Sequence, residues 1–416
     1  MQDWDYSPPP PSTLGDHDVP LEGVHLKGRR IALLVTGSIA AIKAPFIARA
    51  LRRQGADVVA FASSEGLRYV AEEALQWSTT YPVVTRLTPA AEHLSDSAPF
   101  DAYLVAPATY NTINKLRHGI ADSVVTAALA SALGRLEQGA TQLLIAPTMH
   151  GSLHTSILVD SLKALAALGV RVIPPREDYG KHNIPEEAWL VAEVCRAVTA
   201  SPLKGRRILV TGGPTPVPID AVRLITNRFS GKLGITVAEE LYLRGAQTLL
   251  IHAGGVTRPP GFLPHRLADT FDDYLQLVID ELEAGAYEAG IFTAAVADYR
   301  PTEVRAGKTP SGGALSNITL VPTPKVIARV RQAFPNLHMV TFKFEEGLSH
   351  EQLMQIARER LKESSQAVVA NRGEEATEAG QQVAYLVTMG ETEQRLLGKP
   401  AIARAIADYL EARLPR

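Results

Sequence analysis

Two strand-breaking turns in this sequence carry residue types able to hold phosphate. In Ile208-Leu-Val-Thr-Gly-Gly-Pro-Thr-Pro-Val-Pro-Ile-Asp220 an apolar run stops at Gly212-Gly213, where the missing side chains let backbone N–H groups approach a ligand. Downstream, Ser230-Gly231-Lys232 opens a segment with apolar positions at Leu233, Val237 and Leu241, a helix whose positive N-terminal end suits an anion. A nucleotide or phosphorylated substrate fits that arrangement, although an ordinary strand-to-helix turn uses the same glycines.

The earlier turn, Thr36-Gly37-Ser38-Ile-Ala-Ala41, pairs amides with hydroxyls, and Ser63-Ser64 adds two more hydroxyls. Ala106-Pro-Ala-Thr109-Tyr-Asn111-Thr-Ile113, followed by Gly119-Ile-Ala-Asp-Ser123, sets small residues beside polar ones and leaves room for a flat, polar-edged ring. Tight strand–helix packing with capping hydroxyls is the competing reading of each piece. Two histidines stand near these groups, His93 in a loop and His150 in Pro147-Thr-Met149-His150. The only cysteine, Cys195, lies in an amphipathic pattern and reads as core, so disulfides and Cys-based zinc sites within one chain are excluded.

The elements that must position these groups alternate between strand and helix. Strands are predicted at residues 31–35, 57–61, 102–105, 142–146 and 170–173, then at 208–210, 248–252, 290–293, 338–342 and 367–369. Ile39, Ile42, Phe46, Ile47 and Leu51 are expected to form the buried face of the first helix. A hairpin around 383–388 and a last helix after Lys399-Pro400 complete the second set. Leu26-Lys-Gly-Arg-Arg-Ile31 returns as Leu203-Lys-Gly-Arg-Arg-Ile208, so two α/β units begin at these echoes. The expected organisation is a disordered or loosely docked tail at 1–25 and two Rossmann-like, three-layer domains at 26–200 and 201–416, each with a mostly parallel sheet. Ligands in such sheets gather at the carboxyl ends of the strands. Neither turn has the Gly-x-Gly-x-x-Gly spacing of a dinucleotide site.

Composition narrows the partners. With 42 Lys and Arg against 44 Asp and Glu in 416 residues, bulk charge gives no reason to expect nucleic acid or a membrane surface. No apolar run reaches the roughly 20 residues that span a bilayer, and a cytoplasmic location is expected.

In order and spacing, Gly212-Gly-Pro-Thr215, Thr226-Asn-Arg-Phe-Ser-Gly-Lys232 and Ala294-Ala-Val-Ala-Asp-Tyr-Arg-Pro301 resemble phosphopantothenate-cysteine ligase, the second half of the bifunctional coenzyme A biosynthesis flavoproteins. Gly-Ser-Ile-Ala-Ala, Ala-Pro-Ala-Thr and Gly-Ile-Ala-Asp resemble the flavin mononucleotide (FMN)-binding cysteine decarboxylases over residues 29 to about 195. That resemblance implies flavin contacts among Gly37, Ser38, Ser63, Ala106, Thr109, Asn111, Ser123 and Met149, with His93 as catalytic acid/base. The implied chemistry oxidises a cysteinyl thiol to a thioaldehyde, releases carbon dioxide and returns the electrons. His150 replaces the family's carboxylate-holding asparagine. The segment that usually supplies a proton-donating cysteine is Pro174-Pro-Arg-Glu-Asp-Tyr-Gly-Lys-His-Asn-Ile-Pro185, leaving Tyr179, Lys181 or His182 for that task.

The ligase resemblance implies activation of 4′-phosphopantothenate by cytidine triphosphate (CTP) with Mg2+, then attack by the cysteine amine on the acyl-cytidylate. It places Gly212, Gly213, Ser230, Gly231 and Lys232 at phosphate, Asn227 at the acyl-cytidylate, Ala295 and Asp298 at the nucleotide and Lys308 at the triphosphate. Pro324, Lys325 and Val326 stand where the family has Asn-Pro-Asp. Phe342 is the base-stacking aromatic, and Arg360 and Lys362 stand near the family's two lysines. Local readings also exist: Asn227 as a helix cap, Lys308 as a solvated lysine, Phe342 as core. No metal ligand is assigned, and a homo-oligomer is implied. The whole describes a bifunctional enzyme of coenzyme A biosynthesis. The alternatives are a ligase with a degenerate flavoprotein half, a paralogue joining another acid and amine, and a non-catalytic flavoprotein.

Overall fold

A computed structural model describes residues 5–94, 96–255, 257–309, 318–378 and 380–414. The chain divides into two compact units, 1–199 and 200–416. In the first, strands β1 (Arg30–Val35), β2 (Asp57–Ala62), β3 (Ala102–Ala108), β4 (Gln142–Pro147), β5 (Met149–His150), β6 (Arg171–Val172), β7 (Arg176–Asp178) and β8 (Lys181–Asn183) alternate with helices α1 (Ala44–Arg53), α2 (Glu72–Thr79), α3 (Tyr110–Arg117), α4 (Val124–Glu137), α5 (Ser156–Ala167) and α6 (Glu187–Val198). The main sheet runs β2-β1-β3-β4-β6 with every neighbour parallel. Its strands are apolar on both sides because helices cover both faces, α1 and α6 on one, α3, α4 and α5 on the other. Cys195 is fully buried in α6, as its spacing predicts.

The predicted face of the first helix needs correction. Ile47 and Leu51 are buried, but Ile39, Ile42 and Phe46 are 67%, 51% and 65% exposed. The buried stripe is Ala41, Ala44, Ile47, Ala48 and Leu51, small residues that let the helix lie close to the sheet. Chain order also starts before residue 26: the N–H groups of Glu22 and Leu26 donate to the carbonyls of Arg53 and Gln54, although residues 1–4 of the expected tail lie outside the described residues.

The second unit holds β9 (Arg207–Gly212), β10 (Val217–Pro218), β11 (Leu224–Ile225), β12 (Gln247–Ala253), β13 (His265–Ala268), β14 (Ala289–Phe292), β15 (Tyr299–Pro301), β16 (Leu320–Pro322), β17 (His338–Glu345), β18 (Ala367–Arg372), β19 (Val383–Thr388) and β20 (Gln394–Leu397). Its helices are α7 (Lys232–Leu243), α8 (Phe271–Ala284), α9 (Val326–Ala333), α10 (His350–Glu363) and α11 (Gly398–Arg413). The eight-stranded sheet β13-β12-β9-β14-β17-β18-β19-β20 is parallel up to β18 and antiparallel for the last two strands. Helices α7 and α11 cover one face, and α8, α9 and α10 the other. The β10–β11 and β15–β16 ribbons, absent from the sequence reading, flank the carboxyl end of β9 and β14.

Candidate active site

In the second unit, the carboxyl ends of the parallel strands open into a cavity of about 1250 Å³. Two backbone positions shape its floor. Gly213 sits at φ +81°, where a Cβ would lie 1.8 Å from the Ala253 carbonyl oxygen, and Gly231 at φ +80° caps α7 with its Cβ position 2.3 Å from His252. Only glycine fits at either place without moving backbone or ring. Gly212 does not line the cavity; it lets Gly234 of α7 approach β9. His252 is buried, and desolvation lowers its pKa, so the ring is neutral. Its Nε2–H donates to the Thr257 carbonyl at 2.9 Å, and the Thr257 N–H donates to the Ser230 carbonyl at 3.3 Å, tying Ser230 to the end of β12.

Around that floor the cavity is lined by Asn227, Ser230, Lys232, Ala295, Asp298, Pro324, Lys325, Val326, Phe342 and Arg360, all singled out in the sequence. Asn227 Nδ2 donates to the carbonyls of Ala295 (2.9 Å) and Val296 (3.4 Å), which orients the amide and leaves Oδ1 as the free acceptor. Ala295 in turn bridges Pro214, so the Gly-Gly turn, the Asn227 loop and the end of β14 form one connected rim. Asp298 and Lys325 pair at 2.6 Å with both side chains about two-thirds exposed, a contact that a charged ligand can displace at small cost. The Thr323 hydroxyl donates to the Ala297 carbonyl and the Ala297 N–H to Thr215, fixing the loop that carries Asp298.

Sequence reasoning missed several lining residues. Phe229 and Phe344 meet edge to face at 5.6 Å beside Phe342, and Arg228, Arg331, Lys343, Arg372 and Lys399 join Lys232, Lys325 and Arg360. Eight Lys or Arg against three Asp or Glu (Asp298, Glu363, Glu375) give the cavity a cationic excess suited to several phosphate charges. Alternation along β17 would have found Phe344, two residues after Phe342 on the same face.

Besides Gly212, two more expected nucleotide contacts lie elsewhere. Lys362 is exposed and does not line the cavity, because two residues along α10 from Arg360 is more than half a turn away. Lys308 is exposed on a segment clasped to the Asp220–Arg223 turn: the Thr309 N–H donates to Asp220 Oδ2 at 3.2 Å, and the Ala221 N–H to the Gly307 carbonyl. Asp220 is itself held by the Val222 and Arg223 N–H groups and by the Arg223 guanidinium at 2.7 Å. The Val222 N–H leads the hydrogen bonds that hold its carboxyl far below the usual carboxylate range.

In the first unit the hydroxyls gather at the carboxyl ends of β1, β2 and β3. Thr36 Oγ1 donates to the Pro107 carbonyl at 2.7 Å and lies 3.5 Å from Thr109 Oγ1. Ser63 accepts from the Gly66 N–H at 3.1 Å, Ser38 caps the turn into α1, and Thr109 caps α3. Ala106 and Met149 are buried, Gly37 is half-buried beside Glu65, and Asn111 is exposed one residue into α3. Ser123 anchors a capping box at the start of α4. His150 Nδ1 lies 2.9 Å from Ser152 Oγ. The orientable hydroxyls and open helix starts at this edge fit a phosphate and a polar ring edge.

His93 is not brought to that edge. Its neighbour Leu94 accepts a hydrogen bond from Arg135 near the far end of α4, about 18 Å of helix rise from Ser123. His93 Nδ1 is buried with no hydrogen-bond partner among the described residues.

A parallel sheet with hydroxyl-rich strand ends, followed by a second bearing a cationic, glycine-floored cavity, defines a two-site α/β protein for phosphorylated ligands. Residues 21–199 match the flavoprotein family model, and residues 203–414 match the DNA/pantothenate metabolism flavoprotein C-terminal domain. The coenzyme A biosynthesis bifunctional protein CoaBC of Thermococcus kodakarensis is 36% identical over 353 residues, covering 83% of this chain and 86% of that protein. Its counterpart from Methanocaldococcus jannaschii is 29% identical across 93% of this chain and 94% of its own. A crystal structure of the DNA/pantothenate metabolism flavoprotein from Streptococcus pneumoniae covers 50% of this chain and 99% of its own, at 26% identity and a TM-score of 0.45. The chain belongs to the family of coenzyme A biosynthesis bifunctional proteins. No helix among the described residues is long and apolar enough to cross a membrane.

Proposed function

We propose that this chain joins 4′-phosphopantothenate to cysteine with CTP and decarboxylates the product to 4′-phosphopantetheine. The observation that carries the reading is the convergence of Asn227, Gly231, Lys232, Asp298, Lys325 and Phe342 on one cationic cavity in a chain related throughout its length to coenzyme A biosynthesis bifunctional proteins. A carboxylate resists an amine until it is activated, so two phosphorylated substrates must meet in one place, with Mg2+ on the triphosphate. The Gly213 turn and the start of α7 would hold phosphate, Phe342 and Phe344 the pyrimidine, and Asn227 Oδ1 would position the reacting acyl group or the incoming amine. Lys308 would reach the triphosphate only if its loop leaves the Asp220–Arg223 clasp.

In the first unit Ser38, Ser63, Thr109 and Ser123 would hold FMN, and Met149 would pack against it. Bound flavin would supply the reversible oxidation of the thiol. His150 would bind the substrate carboxylate, and His93 would act as acid/base. Since His93 sits away from the hydroxyl edge of its own chain, it would serve a flavin held by a neighbouring copy. The exposed Ile39, Ile42 and Phe46 beside Ser38 support such a homo-oligomer by offering an apolar rim to cover. The test is continuous pyrophosphate release that requires both 4′-phosphopantothenate and cysteine, followed by carbon dioxide release from the flavin-loaded chain. Because the acyl-cytidylate forms before the amine attacks, about one equivalent of pyrophosphate per site should appear without cysteine. Continuous turnover without cysteine, or release that does not require 4′-phosphopantothenate, would overturn the ligase assignment.

A further inference from the structure

Losing carbon dioxide beside a thioaldehyde leaves an electron pair that delocalises into an ene-thiolate. Before the thiol can be restored, a proton must be placed on that carbon. The chain's one thiol, Cys195, is fully buried in α6 and cannot deliver it. The small sheet β5-β8-β7 lies at the right edge: the Thr148 N–H donates to the Ala108 carbonyl next to Thr109, and Met149 pairs with His182.

On this sheet two imidazoles touch. His154 Nδ1 lies 2.7 Å from His182 Nε2, so one of the two nitrogens donates and the other accepts. His182, with its side chain only 16% exposed, turns Nδ1 toward the Glu177 carboxylate at 3.7 Å, and Glu177 stands directly across the ladder from it. His182 Nδ1 makes no hydrogen bond among the described residues, and the negative charge 3.7 Å away favours a proton there, the tautomer in which Nε2 accepts from His154 Nδ1. The other ring nitrogen of exposed His154 has no hydrogen-bond partner among the described residues. Of the side-chain types the hairpin offers, imidazole is the one suited to proton transfer near neutrality.

We propose that His154 is the general acid of the decarboxylase half and that His182 and Glu177 position it, an inference that rests on the decarboxylation reading above. His154 as imidazolium gives its Nε2 proton to the ene-thiolate carbon, forming the C–H bond and regenerating a thioaldehyde. The thioaldehyde then takes back what the first step removed, a hydride to its carbon and a proton to its sulfur. Neutral His154 keeps its Nδ1–H on His182 and is reprotonated by solvent.

The test uses the full-length, flavin-loaded chain with His154→Gln and His182→Gln. For His154→Gln, formation of the saturated thiol should fall about 100-fold. Carbon dioxide should still appear at about one equivalent per site, with a decarboxylated product two hydrogens lighter by mass spectrometry, and pyrophosphate release should be unchanged. His182→Gln should lose about tenfold, as a positioning residue. In the flavin-free chain, the ring-nitrogen NMR resonances of His154 should shift in His182→Gln. Saturated product at the unaltered rate in His154→Gln, or unmoved His154 resonances, would overturn the assignment. If the unaltered chain releases no carbon dioxide, the decarboxylation reading fails and this role with it.

Discussion

Asn227 spends both amide hydrogens on the carbonyls of Ala295 and Val296, so its carbonyl oxygen is the atom offered to a substrate. Asn227→Ala should lower kcat/KM for ligation about 100-fold while thermal stability changes little, since polar side chains of this kind contribute mainly at the reacting group. Steady-state pyrophosphate release checks it. Asp220 has a structural task. Its folded-state pKa is depressed, so its contribution to stability is present above the ordinary carboxylate range and is lost only as pH falls through the depressed value. Asp220→Asn should therefore melt below the unaltered chain at pH 7, and the gap should persist near about pH 4, where ordinary carboxylates already titrate. A melting series from pH 7 downward reads this directly.

At the scale of elements, the glycine floor depends on backbone shape. Gly213→Ala forces a Cβ onto the Ala253 carbonyl at positive φ, costing about 1–2 kcal/mol from the left-handed conformation alone, and should raise the KM for the nucleotide more than it lowers kcat. Helix α1 gives a paired prediction: Ile47→Ala should destabilise by about 2–5 kcal/mol, whereas Phe46→Ser should leave monomer stability nearly unchanged. The same helix shows where sequence reading succeeds and fails. Strands buried on both faces announce themselves as apolar runs, so the main parallel strands of both sheets were legible. Which apolar residues around α1 turn inward was not, because Ala41, Ala44 and Ala48 share the sheet contact with Ile47 and Leu51 while Ile39, Ile42 and Phe46 point outward. Edge strand β13 and the short ribbons carry too few residues for any period to show. Of the cavity, residues set by motif order were legible, while the cations at 331, 343, 372 and 399 depend on how distant segments fold together. His154 gave no local signal, since its partner lies 28 residues away across the small sheet.

At the scale of the molecule, the separation of His93 from the hydroxyl edge of its own unit requires that copies cooperate if both act on one substrate. A His93→Asn chain and a Thr109→Ala chain should each lose decarboxylation, and mixing them under subunit exchange should restore a fraction of it; no recovery would assign both groups to one copy. The central claim is that two sites in one chain carry out consecutive steps. It is tested most directly by supplying the flavin-loaded chain with CTP, 4′-phosphopantothenate and carboxyl-labelled cysteine, and counting pyrophosphate and labelled carbon dioxide together. The account predicts that over many turnovers both are released in equal amounts, with 4′-phosphopantetheine as product; continuous pyrophosphate turnover without cysteine, or ligated product that never loses its label, would contradict it.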